Sequence, residues 1–201
     1  MELQCSEAQF LKDVSGNKIQ ILHDDGLYRH IRFRKDVSYF MGFDLVTWPG
    51  YLCFCGDMGE FVFSRTSDMF SFFRGSGYRG KEHSTLAVNF EYWAEKCEAE
   101  DKSDGLKKYD PDKFREVIND ILNDDEDVTD ELRQAVEDEV LCAADDGPYS
   151  AHEAADSFEW EGKRYFSDFY EHSLEVYTYR FIWCCYALAW GIAEYYKEKS
   201  K

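Results

Sequence analysis

Two hydrophobic periods divide the chain. Between Lys18 and Ser64 apolar and polar residues alternate, as in half-buried strands, and beyond residue 89 apolar residues recur every three or four positions, as in amphipathic helices. The alternating block predicts strands at Lys18–His23, Leu27–Arg34, Phe43–Trp48, Tyr51–Cys55 and Glu60–Ser64. Asp24-Asp25-Gly26, Pro49-Gly50 and Gly56-Asp57-Met58-Gly59 punctuate them, and connections this short join antiparallel neighbours. A short helix comes first, with Ser6 as cap and Phe10, Leu11 and Val14 on one side. After the strands, Ser67–Phe73 predicts another short helix capped by Ser67, and the glycines of Arg74–Ser84 predict a loop.

Asn89 is placed to cap a helix running to about Glu100. Asp110-Pro111, a cap followed by proline at the first helical position, opens a helix with Phe114, Val117, Ile118, Ile121 and Leu122 on its apolar side. Thr129 caps the next, through Leu132, Val136, Val140 and Leu141. Gly147-Pro148 stops it, and Ser150–Ser157 predicts a further short turn of helix. Phe158–Phe166 predicts a small hairpin around Glu161-Gly162-Lys163. The chain closes with a helix from Tyr177 to about Lys197, apolar almost all round at its centre. Such a profile belongs in a core. Its apolar run, Phe181–Ala193, is shorter than the roughly 20 residues that spanning a membrane takes. The fold class this predicts is α+β: an antiparallel meander of four to five strands backed by the C-terminal helix, with an acidic helical region. It reads as one domain in three parts: residues 1–88 β-rich, 89–159 acidic and helical, 160–201 hairpin and core helix.

Charge changes the picture because it is uneven. The chain has 41 acidic and 23 basic residues, a net of −18. Glu91–Glu159 alone holds 24 acids and 7 bases, so nearly all the excess lies in a third of the sequence. One reading is a solvated face that maintains solubility. The sharper one is a surface that docks on a basic partner, such as a DNA- or RNA-binding protein, with carboxylates standing in for phosphates. Asp124, Asp125, Glu126, Asp127, Asp130 and Glu131 are the candidate partner-binding residues. Direct binding to nucleic acid is disfavoured by repulsion.

The one basic patch is the stripe His30, Arg32 and Arg34, extended by Lys35, Arg65 and Arg74. It either neutralises the chain's own acids or binds an anionic ligand such as a nucleotide, with Tyr28 or Tyr39 for stacking. Cys53 and Cys55 share a strand face, but no CxxC or CxxH pair accompanies them, and Cys184 and Cys185 point about 100° apart on a helix. Buried free thiols and no metal or cofactor are expected. Gly56-Asp57-Met58-Gly59 lacks the lysine and the serine or threonine of a phosphate loop. The five histidines are scattered, and no HExxH or GxSxG occurs. No catalytic residue can therefore be assigned, and an enzyme with a dispersed site stands as a rival to a binding protein. Met1–Glu7 shows neither a basic nor an apolar leader pattern, and with an odd number of cysteines this predicts a cytoplasmic setting.

Four strings carry a resemblance: FDLVTWPGYLCFCGDMGEFVFSR (Phe43–Arg65), DMFSFFR (Asp68–Arg74), YWAEKC (Tyr92–Cys97) and YTYRFIWCCYALAWGI (Tyr177–Ile192). In these the chain resembles a family of uncharacterised small proteins encoded by tailed bacteriophages and prophages. The resemblance brings no activity, cofactor or catalytic residue. It implies a setting, the cytoplasm of a bacterial host, in which accessory proteins act as counter-defence, anti-CRISPR-like or host-takeover inhibitors and acidic ones imitate nucleic acid.

Overall fold

A computed structural model describes residues 5–36, 38–77 and 85–201. Residues 78–84 of the predicted Arg74–Ser84 loop, and Met1–Gln4, lie outside the described residues. The architecture is α+β. Where the sequence reads as one domain in three parts, the chain divides into two compact units: residues 2–106 with 177–201, and Lys107–Val176. Each has a hydrophobic core of its own.

The first unit opens with α1 (Glu7–Asp13), where the Ser6 hydroxyl accepts from the Gln9 backbone N–H as a cap. An antiparallel sheet follows, in the order β1 (Lys18–Asp25), β2 (Tyr28–Lys35), β3 (Ser38–Trp48), β4 (Tyr51–Gly56), β5 (Gly59–Ser64) and β6 (Cys97–Ala99). Alternation puts Ile31, Phe33, Phe43, Leu45, Leu52, Phe54, Phe61 and Phe63 on one buried face. Against this face lies α7 (Tyr179–Lys199), capped by the Thr178 hydroxyl, with Phe181, Trp183, Cys184, Cys185, Ala187 and Leu188 wholly buried. At Gly191 a Cβ would stand only 3.1 Å from Phe33 and 3.2 Å from Leu45, so glycine lets the helix press onto the strands. The helices α2 (Met69–Ser76) and α3 (Phe90–Ala94) complete this core.

Several elements differ from the sequence expectation: Arg74–Ser76, expected in a loop, are the last turn of α2, and Lys107–Tyr109 pairs with Glu175–Tyr177 as strands. The helix after Asn89 ends at Ala94 instead of near Glu100, and Cys97–Ala99 becomes the edge strand β6, with Phe63 opposite Cys97 and Val62 opposite Ala99. The open edge of β5 offers these residues backbone partners, which outweighs their helical propensity. In α2, Asp68 takes the capping role expected of Ser67, its carboxylate accepting from the Phe70 N–H at 3.1 Å. Asp68 also holds the buried Arg29 guanidinium at 2.8 Å, so one side chain serves both tasks.

The second unit is built from α4 (Pro111–Asp124), α5 (Asp130–Glu139), a 3-10 helix at Leu141–Asp146 and α6 (Pro148–Ser157), with the strand pairs β7 (Lys107–Tyr109) with β10 (Glu175–Tyr177) and β8 (Glu159–Trp160) with β9 (Lys163–Arg164). Asp110 and Thr129 cap α4 and α5 as their sequence positions predict. Phe114, Ile118, Leu132, Val136, Ala144, Ala151, Phe166 and Phe169 pack its core. Among the described residues no helix is long and apolar enough to cross a membrane.

Candidate functional site

The boundary of the second unit sharpens the charge map. Lys107–Val176 contains 22 acidic and 7 basic residues, a net of −15, against −3 for the rest of the chain. Of these acids only Asp110 and Asp125 are half-buried, and the others are exposed. The six carboxylates singled out above gather at the corner where α4 ends and α5 begins, because the apolar residues of both helices turn inward and leave most polar positions facing water. Asp124, Glu126, Asp127, Asp130 and Glu131 have no ion-pair partner among the described residues.

Asp125 has a different job. Its carboxylate accepts from the Tyr165 hydroxyl at 2.6 Å and from the Asp127 backbone N–H at 2.9 Å, so it ties the corner to the hairpin region of its own unit. Those two hydrogen bonds hold its carboxyl below the usual carboxylate range. Burial, with the neighbouring Asp125 charge, pushes the Tyr165 phenol up to about 12. The corner therefore divides into five exposed carboxylates without an ion-pair partner among the described residues and one that braces the turn.

The basic stripe is placed on the outer face of the sheet and is largely committed. Arg32 and Asp44 stand opposite each other in the β2–β3 register, and the guanidinium donates to both carboxylate oxygens, Nε to Oδ1 at 2.9 Å and Nη2 to Oδ2 at 2.8 Å. His30 Nε2 lies 2.6 Å from Asp44 Oδ2. Arg34 stacks over Tyr39 with its guanidinium carbon 5.2 Å from the ring centre. Lys35 donates to the Asp13 carbonyl. Arg65 follows β5, three strands from β2, about 14 Å away across the sheet. Arg74 is on α2, among the elements packed on the opposite face. The structure thus joins His30 and Arg32 through Asp44 and separates Arg65 and Arg74 from them. Asp44 was not singled out by sequence reasoning. One acid among 41 acquires meaning only once the strand register is known.

Comparison with protein families, curated proteins and solved structures finds no match.

Asp44 provides a pH signature. Burial raises its pKa, but hydrogen bonds from Arg32 and His30 outweigh burial and hold it below the usual range. A folded pKa below the unfolded value of about 3.9 stabilises the protein above that pH, and the contribution disappears as pH falls through the folded value. Asp44→Asn is therefore expected to cost about 1–3 kcal/mol near neutral pH, with the gap to wild type closing below about pH 4. Urea midpoints of both proteins at neutral and acidic pH check this, and a gap independent of pH contradicts it.

All seven cysteines are free thiols. Cys5, Cys184 and Cys185 are buried, and burial pushes their thiols well up from the ordinary value. Cys53 and Cys55 share the outer face of β4, half-buried, and their mutual interaction pulls one thiol down and pushes the other up. Among the described residues no group of three or more His, Cys, Asp or Glu side chains is arranged to hold a metal ion. Alkylation of native protein at neutral pH should therefore label the exposed Cys142 first, the half-buried Cys53 and Cys55 later, and spare Cys184 and Cys185. Mass mapping reads the order, and early labelling of Cys184 or Cys185 would show that the α7 core opens readily.

Proposed function

We propose that this protein acts by protein–protein interaction, its acidic unit docking on a basic, nucleic-acid-binding surface and competing there with nucleic acid. The observation that carries this reading is the α4–α5 corner, where five exposed carboxylates have no ion-pair partner among the described residues while the sixth braces the turn that presents them. A protein that needed only solubility would gain as much from charges spread over both units. The −15 concentrated in one unit creates a directed field that steers a cationic partner and repels nucleic acid. In the phage setting that the sequence resemblance implies, the reading narrows to an inhibitor of a host nucleic-acid-binding complex, a counter-defence role. The anion-binding alternative is weakened by the Asp44 pairing, which neutralises the centre of the basic stripe.

The test is affinity capture from a bacterial lysate followed by mass spectrometry, with wild-type protein and the Asp124→Lys, Glu126→Lys, Asp127→Lys variant run side by side. Nucleic-acid-binding proteins captured by wild type and lost by the variant are the expected result. Identical captures by both would remove the acidic corner from the mechanism.

A further inference from the structure

A cavity of about 340 Å³ lies between α2, the segment Thr85–Ala87 and α7 of the sheet unit. Small-molecule sites begin at about this size, roughly 300 Å³. Phe73 on α2, Leu86 and Ile192 on α7 form apolar walls. Ala189 and Ala193, one helical turn apart on α7, are too small to fill the space.

Contacts behind the wall hold it in place. Glu7 Oε1 accepts from the backbone N–H of Thr85 at 2.8 Å and of Leu86 at 3.2 Å, which ties the segment to α1. Gly77 passes so close to the Ala87 carbonyl that a Cβ there would collide with it. Both arrangements fix backbone, so the cavity is a property of the fold and not of one side-chain rotamer.

Two polar residues of the lining stack on each other. The Arg74 guanidinium carbon lies 4.9 Å from the centre of the Tyr196 ring, and both residues border the cavity. Stacking on an aromatic face orients a guanidinium while leaving its N–H groups free to donate. Arg29, Arg32 and Arg180 of the same unit are each paired with an aspartate, whereas Arg74, like Arg34 and Arg65, has no carboxylate partner among the described residues. In a chain so rich in carboxylates, an arginine stacked at a cavity without one is suited to a carboxylate from elsewhere.

We propose that this cavity binds a small carboxylic acid with an apolar tail. The carboxylate meets Arg74, and the hydrocarbon lies between Phe73, Leu86 and Ile192. The site is independent of the acidic unit, so its success or failure leaves the docking proposal untouched.

Calorimetric titration of the full chain with octanoate and with octan-1-ol separates the two halves of the claim. The chains are matched in length and only one is charged. Octanoate is expected to bind at least about tenfold more tightly, because a hydrogen bond to an ionised group is roughly twice as strong as a neutral one. Arg74→Gln should erase that preference while octan-1-ol binding persists, and Arg74→Lys should keep part of it. Ala193→Leu should weaken both ligands by filling the cavity. Urea midpoints confirm that each variant is folded. Equal binding of the two ligands by wild type would overturn the role of Arg74, and binding of neither would overturn the site.

Discussion

Trp183→Ala should cost about 3–5 kcal/mol, the range for removing a fully buried tryptophan. The residue is wholly buried in α7 and joins four elements. Its ring meets Phe10 of α1 edge-on at 5.1 Å, Phe43 of β3 at 5.7 Å and Phe54 of β4 at 6.3 Å, and its indole N–H donates to Asp13 Oδ2 at 3.1 Å. Truncation therefore leaves a cavity among aromatic rings and strips Asp13 of a partner. Against a typical domain stability of about 5–15 kcal/mol, that is a large fraction. Trp48 supplies the control. It is 37% exposed on the outer sheet face, stacked on Tyr51, so Trp48→Ala should cost about 1 kcal/mol or less. Urea unfolding followed by circular dichroism compares the two, and equal shifts would mean that α7 is not the centre of this core.

The second large effect is on association. Replacing Asp124, Glu126 and Asp127 with lysine changes the charge of the corner by six units while touching no core side chain, since all three are exposed. Binding to a basic partner should weaken by at least about tenfold at low ionic strength, mainly through slower association, because exposed charges act on encounter. Folding should be unchanged or slightly improved as self-repulsion falls. Asp125 is left alone because it holds Tyr165 and the Asp127 N–H. A variant that included it would mix loss of docking with loss of the turn.

What could be read from the sequence follows from how local each signal is. The closing helix was legible because its apolar run is long, but its start was not: the sequence reading began it at Tyr177, whereas Thr178 caps it and Tyr179 is its first residue. The hairpins were legible because Gly26 and Gly50 take positive φ values of 60° and 88° that few other residues adopt. Cys97–Ala99 was not legible as a strand, since three residues carry no periodicity and their structure comes from the open edge of β5. The same logic governs the sites. The exposed carboxylates follow from charge density and the helical period, but the bracing role of Asp125 depends on Tyr165, forty residues away. The pairing of Arg32 with Asp44 depends on strand register. The cavity beside Arg74 depends on two alanines meeting a distant loop segment, for which the sequence has no local mark.

The most direct test of the docking account is the affinity of the captured partner for wild-type protein, measured as ionic strength is raised. Exposed charges are screened over about 10 Å at 0.1 M salt and about 3 Å at 1 M. Wild-type affinity should fall steeply across that range, the lysine variant should be weak throughout, and nucleic acid should displace the protein from its partner. An affinity that ignores salt and is the same for wild type and variant would contradict the docking account, leaving the acidic corner as solvated surface.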